Sequence, residues 1–327
     1  NEERCIEQKI RNSLQQQYPA DKLELIFITD GSTDRTNTII SEYPEVRLLY
    51  QPERRGKSAA INRAADAAQH GILVFSDANT ALNPQAVMNI ARHYADPRTG
   101  GVAGEKKVMD NPAARDAAIG EGLYWKYESF LKQVDSDFYS VIGAAGELFS
   151  VRKSLYRPVD DDVILDDFVI SMQVAGQGYR VVYEPQAYAT EPPSLSITEE
   201  RKRKVRIGAG SFQALQILRP LLFSSRYPGL SFLYLSHRVL RWTLSPVCLF
   251  LIFISNMVLA ATTDNLFFTI TFAMQVLFYL MALLGTFLPV RLFRLAHYFV
   301  FMHLSVIQGF FRYINDQQPA AWEKVER

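Results

Sequence analysis

Three acidic stations in this 327-residue chain have the residue types and spacing that chemistry needs. "LELIFITD" (23–30) and "GILVFSD" (71–77) are apolar runs that end in Asp30 and Asp77, and "DDDVILDD" (160–167) forms a third cluster. An acid at the carboxyl end of a strand in an α/β sheet lies where such sheets bind ligands. It serves equally well as a turn or helix cap, a role that favours Asp and Asn. Adjacent parallel strands would bring Asp30 and Asp77 to one edge. There a carboxylate can accept from a pyrimidine N–H or a ribose hydroxyl, and acids beside a diphosphate can hold a divalent cation. Between them, "ERRGKSAAIN" (53–62) sets Arg54, Arg55 and Lys57 in a loop that opens a helix. That is a natural phosphate contact, and the plain alternative is a solvated basic loop. "GKS" does not make a P-loop, because Gln51 stands where that motif needs Gly.

The elements that must position these residues alternate. Strand-like runs at 23–30, 46–50, 72–77 and 100–108 are separated by helical patterns at 56–69 and 83–94. A long amphipathic helix follows at 113–134. This order predicts an α/β fold with a mixed, mostly parallel sheet flanked by helices. The chain opens "NEERCIEQKI", with no initiator Met and no signal peptide. We therefore expect a fragment whose first strand, and with it a membrane helix ahead of that strand, is missing. Cys5 and Cys248 give no disulfide framework and fit a reducing compartment.

Overall charge is balanced, 35 basic against 34 acidic residues, which argues against a nucleic-acid partner. The average hides an asymmetry. Residues 201–241 hold nine Lys or Arg and no acid, while 243–262 and 266–290 hold no charge at all. Each uncharged run is long enough to cross ~30 Å of hydrocarbon. The "TDN" link (263–265) has no basic residue, whereas Arg291 and Arg294 follow the second run. By the positive-inside rule the collar and the α/β part face the cytoplasm. A third run, 295–311, fits either a span or an interfacial helix. The expected divisions are 1–195 for the α/β domain, 196–242 for basic interfacial helices, 243–311 for the membrane region and 312–327 for a tail.

The motifs "NEE…DGSTDRT…GKSAAIN…FSDAN…GAAGELFSVRK…LDDF…RKVRIGAG" resemble the membrane-embedded glycosyltransferases of family 2, relatives of cellulose, hyaluronan, chitin and poly-N-acetylglucosamine synthases. The resemblance implies the nucleotide-sugar-binding GT-A fold. It implies that Glu2 closes a first-strand motif, that Asp30 binds the uracil edge and that Lys57 lies near the diphosphate. Asp77 and Asn79 stand at the two metal-binding positions for Mg²⁺ or Mn²⁺. Asn79 departs from the family's second acid, and an amide oxygen carries no charge, so the cation should depend more on the diphosphate. "ILDDF" (164–168) places Asp167 as general base beside Asp166, and "GAAGELF" (143–149) resembles an acceptor loop in which Gly143 and Gly146 permit close approach.

The family's Gln-x-x-Arg-Trp motif has two candidates, "RKVRI" (203–207) and "RVLRW" (238–242). Arg206 lies 39 residues beyond Asp167 and Arg241 lies 74 beyond it. The family's spacing favours Arg206 for the leaving diphosphate, with Arg203 on the donor side. "RVLRW" then reads as an interfacial anchor ahead of the first span. Ile207 replaces the family's Trp, so Trp125 or Tyr124 becomes an alternative aromatic platform, and Trp322 and Arg327 resemble a donor-covering tail. The implied activity is inverting transfer from a UDP-sugar to a growing glycan, giving a β-linkage at the cytoplasmic face of a bacterial plasma membrane. Single transfer to a polyprenyl lipid carrier is the alternative within enzymes, and a non-catalytic membrane scaffold the alternative outside them.

Overall fold

The computed structural model describes residues 1–108, 115–191, 197–288 and 290–315. Helix α1 (Ile6–Leu14) and α2 (Thr36–Ser41) flank a two-stranded parallel sheet of β1 (Ile26–Asp30) and β2 (Arg47–Gln51). Ile6 and Ile10, one turn apart on α1, are buried with Ile40. Helix α3 (Lys57–Ala67) leads to β3 (Ile72–Phe75), and β4 (Ala81–Leu82), α4 (Ala86–Ala91) and β5 (Thr99–Val108) follow. The long helix α5 (Arg115–Phe138) is succeeded by β6 (Phe149–Arg152), α6 (Asp166–Gly176) and β7 (Arg180–Glu191).

A five-stranded sheet runs in the order β3-β6-β5-β7-β4. It is mixed: β5 and β7 pair in parallel, while β6 runs antiparallel to β3 and β5, and β4 antiparallel to β7. Side chains alternate across it as a strand's period of two requires. Val102 and Leu148 join Ile90 and Ala187 on one face, whereas their neighbours Ala103 and Phe149 join Met172 and Val181 under α6 on the other. A cavity of about 790 Å³ separates the two sheets, lined by successive residues of β1 and β3.

Beyond β7 the chain is helical: α7 (Ile197–Ile217), α8 (Pro228–Tyr234), a π-turn at Leu235–Val239, α9 (Leu240–Trp242), α10 (Leu244–Thr262), α11 (Leu266–Leu284) and α12 (Arg291–Ile314). Among the described residues, α10 and α11 are the two helices long and apolar enough to cross a membrane. Only 11% and 6% of their apolar windows are buried inside the protein, unlike the core helices of a soluble domain. Asn256 ties them together, donating to Gln275 Oε1 at 3.0 Å and accepting from Thr271 Oγ1 at 3.0 Å. The 295–311 run falls within α12, which packs along α7 on one side and α11 on the other. The crossing with α7 is a backbone contact, since a Cβ at Gly309 would lie 2.6 Å from Ala209 N.

Candidate active site

Asp30 ends β1 and holds the basic loop. Its two carboxylate oxygens accept from the backbone N–H of Arg55 at 3.0 Å and of Gly56 at 2.7 Å, which fixes the start of α3. Each oxygen keeps a second lone pair for a ligand. Ser58 on α3 donates to Val163 O at 2.8 Å, so the same helix carries Lys57 toward the acidic loop before α6. Lys57 Nζ donates to Asp77 Oδ1 at 2.9 Å and lies 3.8 Å from Asp166 Oδ2. Desolvation lowers its pKa, but the charges of Asp166, Asp77 and Asp167 outweigh that and hold it above the ordinary lysine range.

Asp166 and Asp167 open α6, where exposed backbone N–H groups favour negative charge. Asp166 is 3% exposed. Burial pushes the Asp167 carboxyl up to about 7, with the Asp166 charge second, and burial also raises Asp166 against the pull of Lys57. Gly146 marks where Lys57 meets this acid. A Cβ there would lie 3.1 Å from Lys57 Nζ and 3.3 Å from Asp167 Oδ2, so only glycine leaves the gap between them open. The loop holding it is anchored by Ala144 N–H, which donates to Ser171 Oγ at 2.9 Å. Gly143 answers to packing: its φ is +83°, and a Cβ would run into the Phe168 ring at 2.0 Å.

Asp30, Lys57, Asp77, Gly146 and Glu2 line the cavity between the sheets. Asp167 and Gly143 line a second cavity, of about 460 Å³. The site is thus two chambers meeting at Gly146 and Lys57. Arg206 on α7 reaches it through the field of Asp166, and burial lowers its pKa to about 10. Arg203 lies 3.2 Å from Glu200 and 3.9 Å from Glu191, and it lines the second cavity with Ile207.

Residues 1–159 match the family Glycosyl transferase family 2. The chain is 26% identical over 226 residues to the poly-beta-1,6-N-acetyl-D-glucosamine synthase of Staphylococcus aureus and 25% identical to that of Staphylococcus epidermidis. Each alignment covers 66% of this chain and 53% of the relative, so the chain spans about half the length of the curated relatives it matches. The mannosyltransferase PcManGT of Pyrobaculum calidifontis, solved with GDP-Man and Mn²⁺, superposes with a TM-score of 0.73 at 22% identity, covering 97% of this chain and 85% of that one. Over residues 1–159, just under half of the chain, the sequence matches a glycosyltransferase family 2 domain. Its fold is GT-A, an α/β core followed by the two apolar helices α10 and α11.

Several residues of this chain were not read as part of the site. "RVLRW" is not an exposed anchor. Trp242 is 8% exposed and meets Phe168 edge-on at 5.3 Å, while Arg238 and Arg241 both pair with the buried Glu128 of α5. Trp125 lines the same cavity. Tyr124, Trp322 and Arg327 lie outside the described side chains. Lys9, buried on α1, donates to Ser76 Oγ at 2.6 Å and Thr80 O at 2.9 Å, clamping the loop that carries Asp77 and Asn79. Burial lowers its pKa to about 8 against the attraction of Asp77. The signal was present: a lysine sharing an apolar helix face with Ile6 and Ile10.

The donor set for a divalent cation is thin. Asn79 Nδ2 donates to Glu191 Oε1 at 2.7 Å, which leaves its oxygen as the ligand-capable atom. Among the described residues no group of three His, Cys, Asp or Glu is arranged to hold a metal. Two oxygens fit a Mg²⁺ or Mn²⁺ ion only if diphosphate and water complete its shell.

Proposed function

We propose that the protein transfers a sugar from a UDP-sugar to an acceptor hydroxyl by direct displacement at the anomeric carbon, inverting an α-linked donor to a β-linked product. The observation that carries this reading is the convergence at Gly146. Lys57 from the donor side and Asp167 from the acceptor side both lie against the same missing side chain. Asp30 and Glu2 bind the nucleotide end, and Lys57 with Arg203 and Arg206 binds and neutralises the diphosphate. Asp77 and Asn79 would hold a Mg²⁺ or Mn²⁺ ion, which would supply positive charge to the departing diphosphate. Asp167 takes the acceptor's proton, and a carboxylate raised to about 7 suits that task near neutral pH. Asp166 and the loop from Gly143 to Gly146 shape the acceptor's approach. One base and one held leaving group suffice, because proximity and electrostatic stabilisation supply the rest.

Supporting a membrane setting, α10 and α11 leave their apolar faces outside the protein, and the basic stretch 201–241 precedes them. We place this chain in a bacterial plasma membrane with the α/β domain cytoplasmic, adding sugars to a glycan or lipid-linked acceptor. Turnover of a UDP-sugar panel by the complete protein in membranes, with Mg²⁺ and with Mn²⁺, tests the reading. UDP release from at least one donor is expected; inertness toward all of them supports the non-catalytic scaffold instead.

A further inference from the structure

One buried cation with no part in the reaction proposed above joins the two chambers. The Lys106 side chain, on β5, is 1% exposed, and its ammonium lies 2.5 Å from both Glu147 Oε1 and Glu191 Oε2. The two acids serve different sides. Glu147 follows Gly146 in the loop between the chambers and lines the second cavity with Asp167. Glu191 ends β7 and accepts from Asn79 Nδ2 at 2.7 Å through its other oxygen, Oε1. The same ammonium lies 4.8 Å from the centroid of the Trp125 ring, another wall of the second cavity. A single charge thus holds the amide of the Asp77 loop, by way of Glu191, and two walls of the opposite chamber.

Packing does not call for this arrangement, because an apolar side chain of similar volume would fill the place at equal or lower cost. Lys106 and Glu147 nevertheless keep their charges at neutral pH. Desolvation lowers the Lys106 pKa, but Glu147 and Glu191 outweigh it and raise the value. Against burial, Lys106 in turn holds the Glu147 carboxyl down to about 2. The Glu147 backbone is fixed as well, since its carbonyl accepts from Ser76 Oγ at 3.1 Å, beside Asp77. Because two acids share one ammonium, whatever strengthens one pairing weakens the other.

We propose that Lys106 is a positioning residue that couples the two chambers: through Glu191 it sets the Asn79 amide, and through Glu147 and Trp125 it sets the wall that the acceptor meets. The proposal rests on the donor and acceptor roles given to the chambers above. Donor binding at Asn79 polarises the amide and strengthens its N–H toward Glu191. Glu191 then competes less for Lys106, and the ammonium shifts toward Glu147. With the Glu147 backbone fixed, the response falls on its side chain and on the Trp125 ring. Filling the first chamber thereby adjusts the second.

The test uses the full chain in lipid vesicles, with Trp242→Phe and Trp322→Phe leaving Trp125 as its one tryptophan. UDP with Mg²⁺ is titrated in, binding is followed by calorimetry, and Trp125 emission is read in parallel. Bound UDP is expected to shift the emission, and Glu191→Gln should abolish the shift while UDP still binds. Lys106→Met alone leaves two acids without their shared cation and should lose stability. It is therefore combined with Glu147→Gln and Glu191→Gln in a triple variant that carries no unmatched charge. That triple should regain the parent's thermal midpoint and show no emission shift. It should turn over UDP-sugar roughly 10²-fold more slowly than the parent, with the donor KM little changed. A triple with the parent's rate would make Lys106 a purely structural residue and overturn the proposal. So would a UDP-induced shift that survives in Glu191→Gln or in the triple, or UDP bound by the parent with no shift. A parent that binds no UDP fails the donor reading instead, and this proposal falls with it.

Discussion

The two chambers that meet at Gly146 are built from opposite materials. On the β1–β3 side the side chains near the reaction are charged and partly open to water: Lys57 is 39% and Asp77 34% exposed. On the α12 side Leu295, Phe299 and Val306 add an apolar lining, Trp242 and Phe168 are buried against each other, and charged residues such as Glu128, Arg238 and Arg241 pair among themselves. The contrast suits the roles proposed for the two chambers. A leaving diphosphate needs fixed charge, whereas a base that must be ready near neutral pH needs a carboxylate drawn partly out of water. Asp167 sits on the boundary and takes its raised pKa from the dry side and from Asp166 together.

Asp167→Asn should break the comparison most severely. The amide keeps the shape and loses the proton acceptor, so we expect kcat to fall by roughly 10²–10⁴ while UDP binding by calorimetry persists. Full turnover by this variant would refute the base assignment. The same change should raise thermal stability above pH 7. A carboxyl whose folded pKa exceeds its unfolded value binds its proton more tightly when folded, so its contribution is lost as pH rises through about 7.

Trp242→Ala addresses the apolar side alone. It removes a buried ring that packs on Phe168, the residue next to Asp167. The expected loss is about 3–5 kcal/mol of stability, seen as a lower thermal midpoint. Trp242→Phe should recover most of it. An exposed interfacial anchor would show neither effect.

How much of this was legible in the sequence follows the same division. Asp30 and Asp77 could be placed at the ends of β1 and β3 because strand ends are local signals, whereas Asp167 was singled out by the family resemblance and its place at the start of α6 was not read from the acidic cluster. The second chamber depends on contacts between residues far apart in the chain. Trp242 beside Phe168 and α12 beside α7 leave no trace in local periodicity. Spacing favoured Arg206 over Arg241 for the diphosphate, and it carried no information that Arg238 and Arg241 would turn inward to Glu128. The split of the strands into two sheets was likewise hidden, because pairing is a tertiary choice.

On the charged side, Asn79→Asp isolates the departure from the family's acidic pair. Asn79 donates to Glu191, which also pairs with Lys106 and lies near Arg203. A carboxylate at position 79 would exchange a hydrogen bond for a repulsion, costing about 1–3 kcal/mol in a denaturant melt. Adding Glu191→Gln should restore most of that loss. If the single variant is as stable as the parent and binds Mn²⁺ no better, Asn79 is not held by Glu191 as the geometry shows.

The finest test asks which side sets the working pH. If Asp167 must be ionised, kcat/KM should fall tenfold per unit below about 7. Asp166→Asn removes the neighbouring like charge, so the acidic limb should move to lower pH. Lys57→Met removes the cation that favours ionisation, so the limb should move to higher pH even as donor affinity drops. Burial is the largest cause of the raised value, so Asp166→Asn should leave the limb above the ordinary aspartate range. A limb that returned fully to that range would make the carboxylate pair, rather than the apolar chamber, the source of the base's readiness.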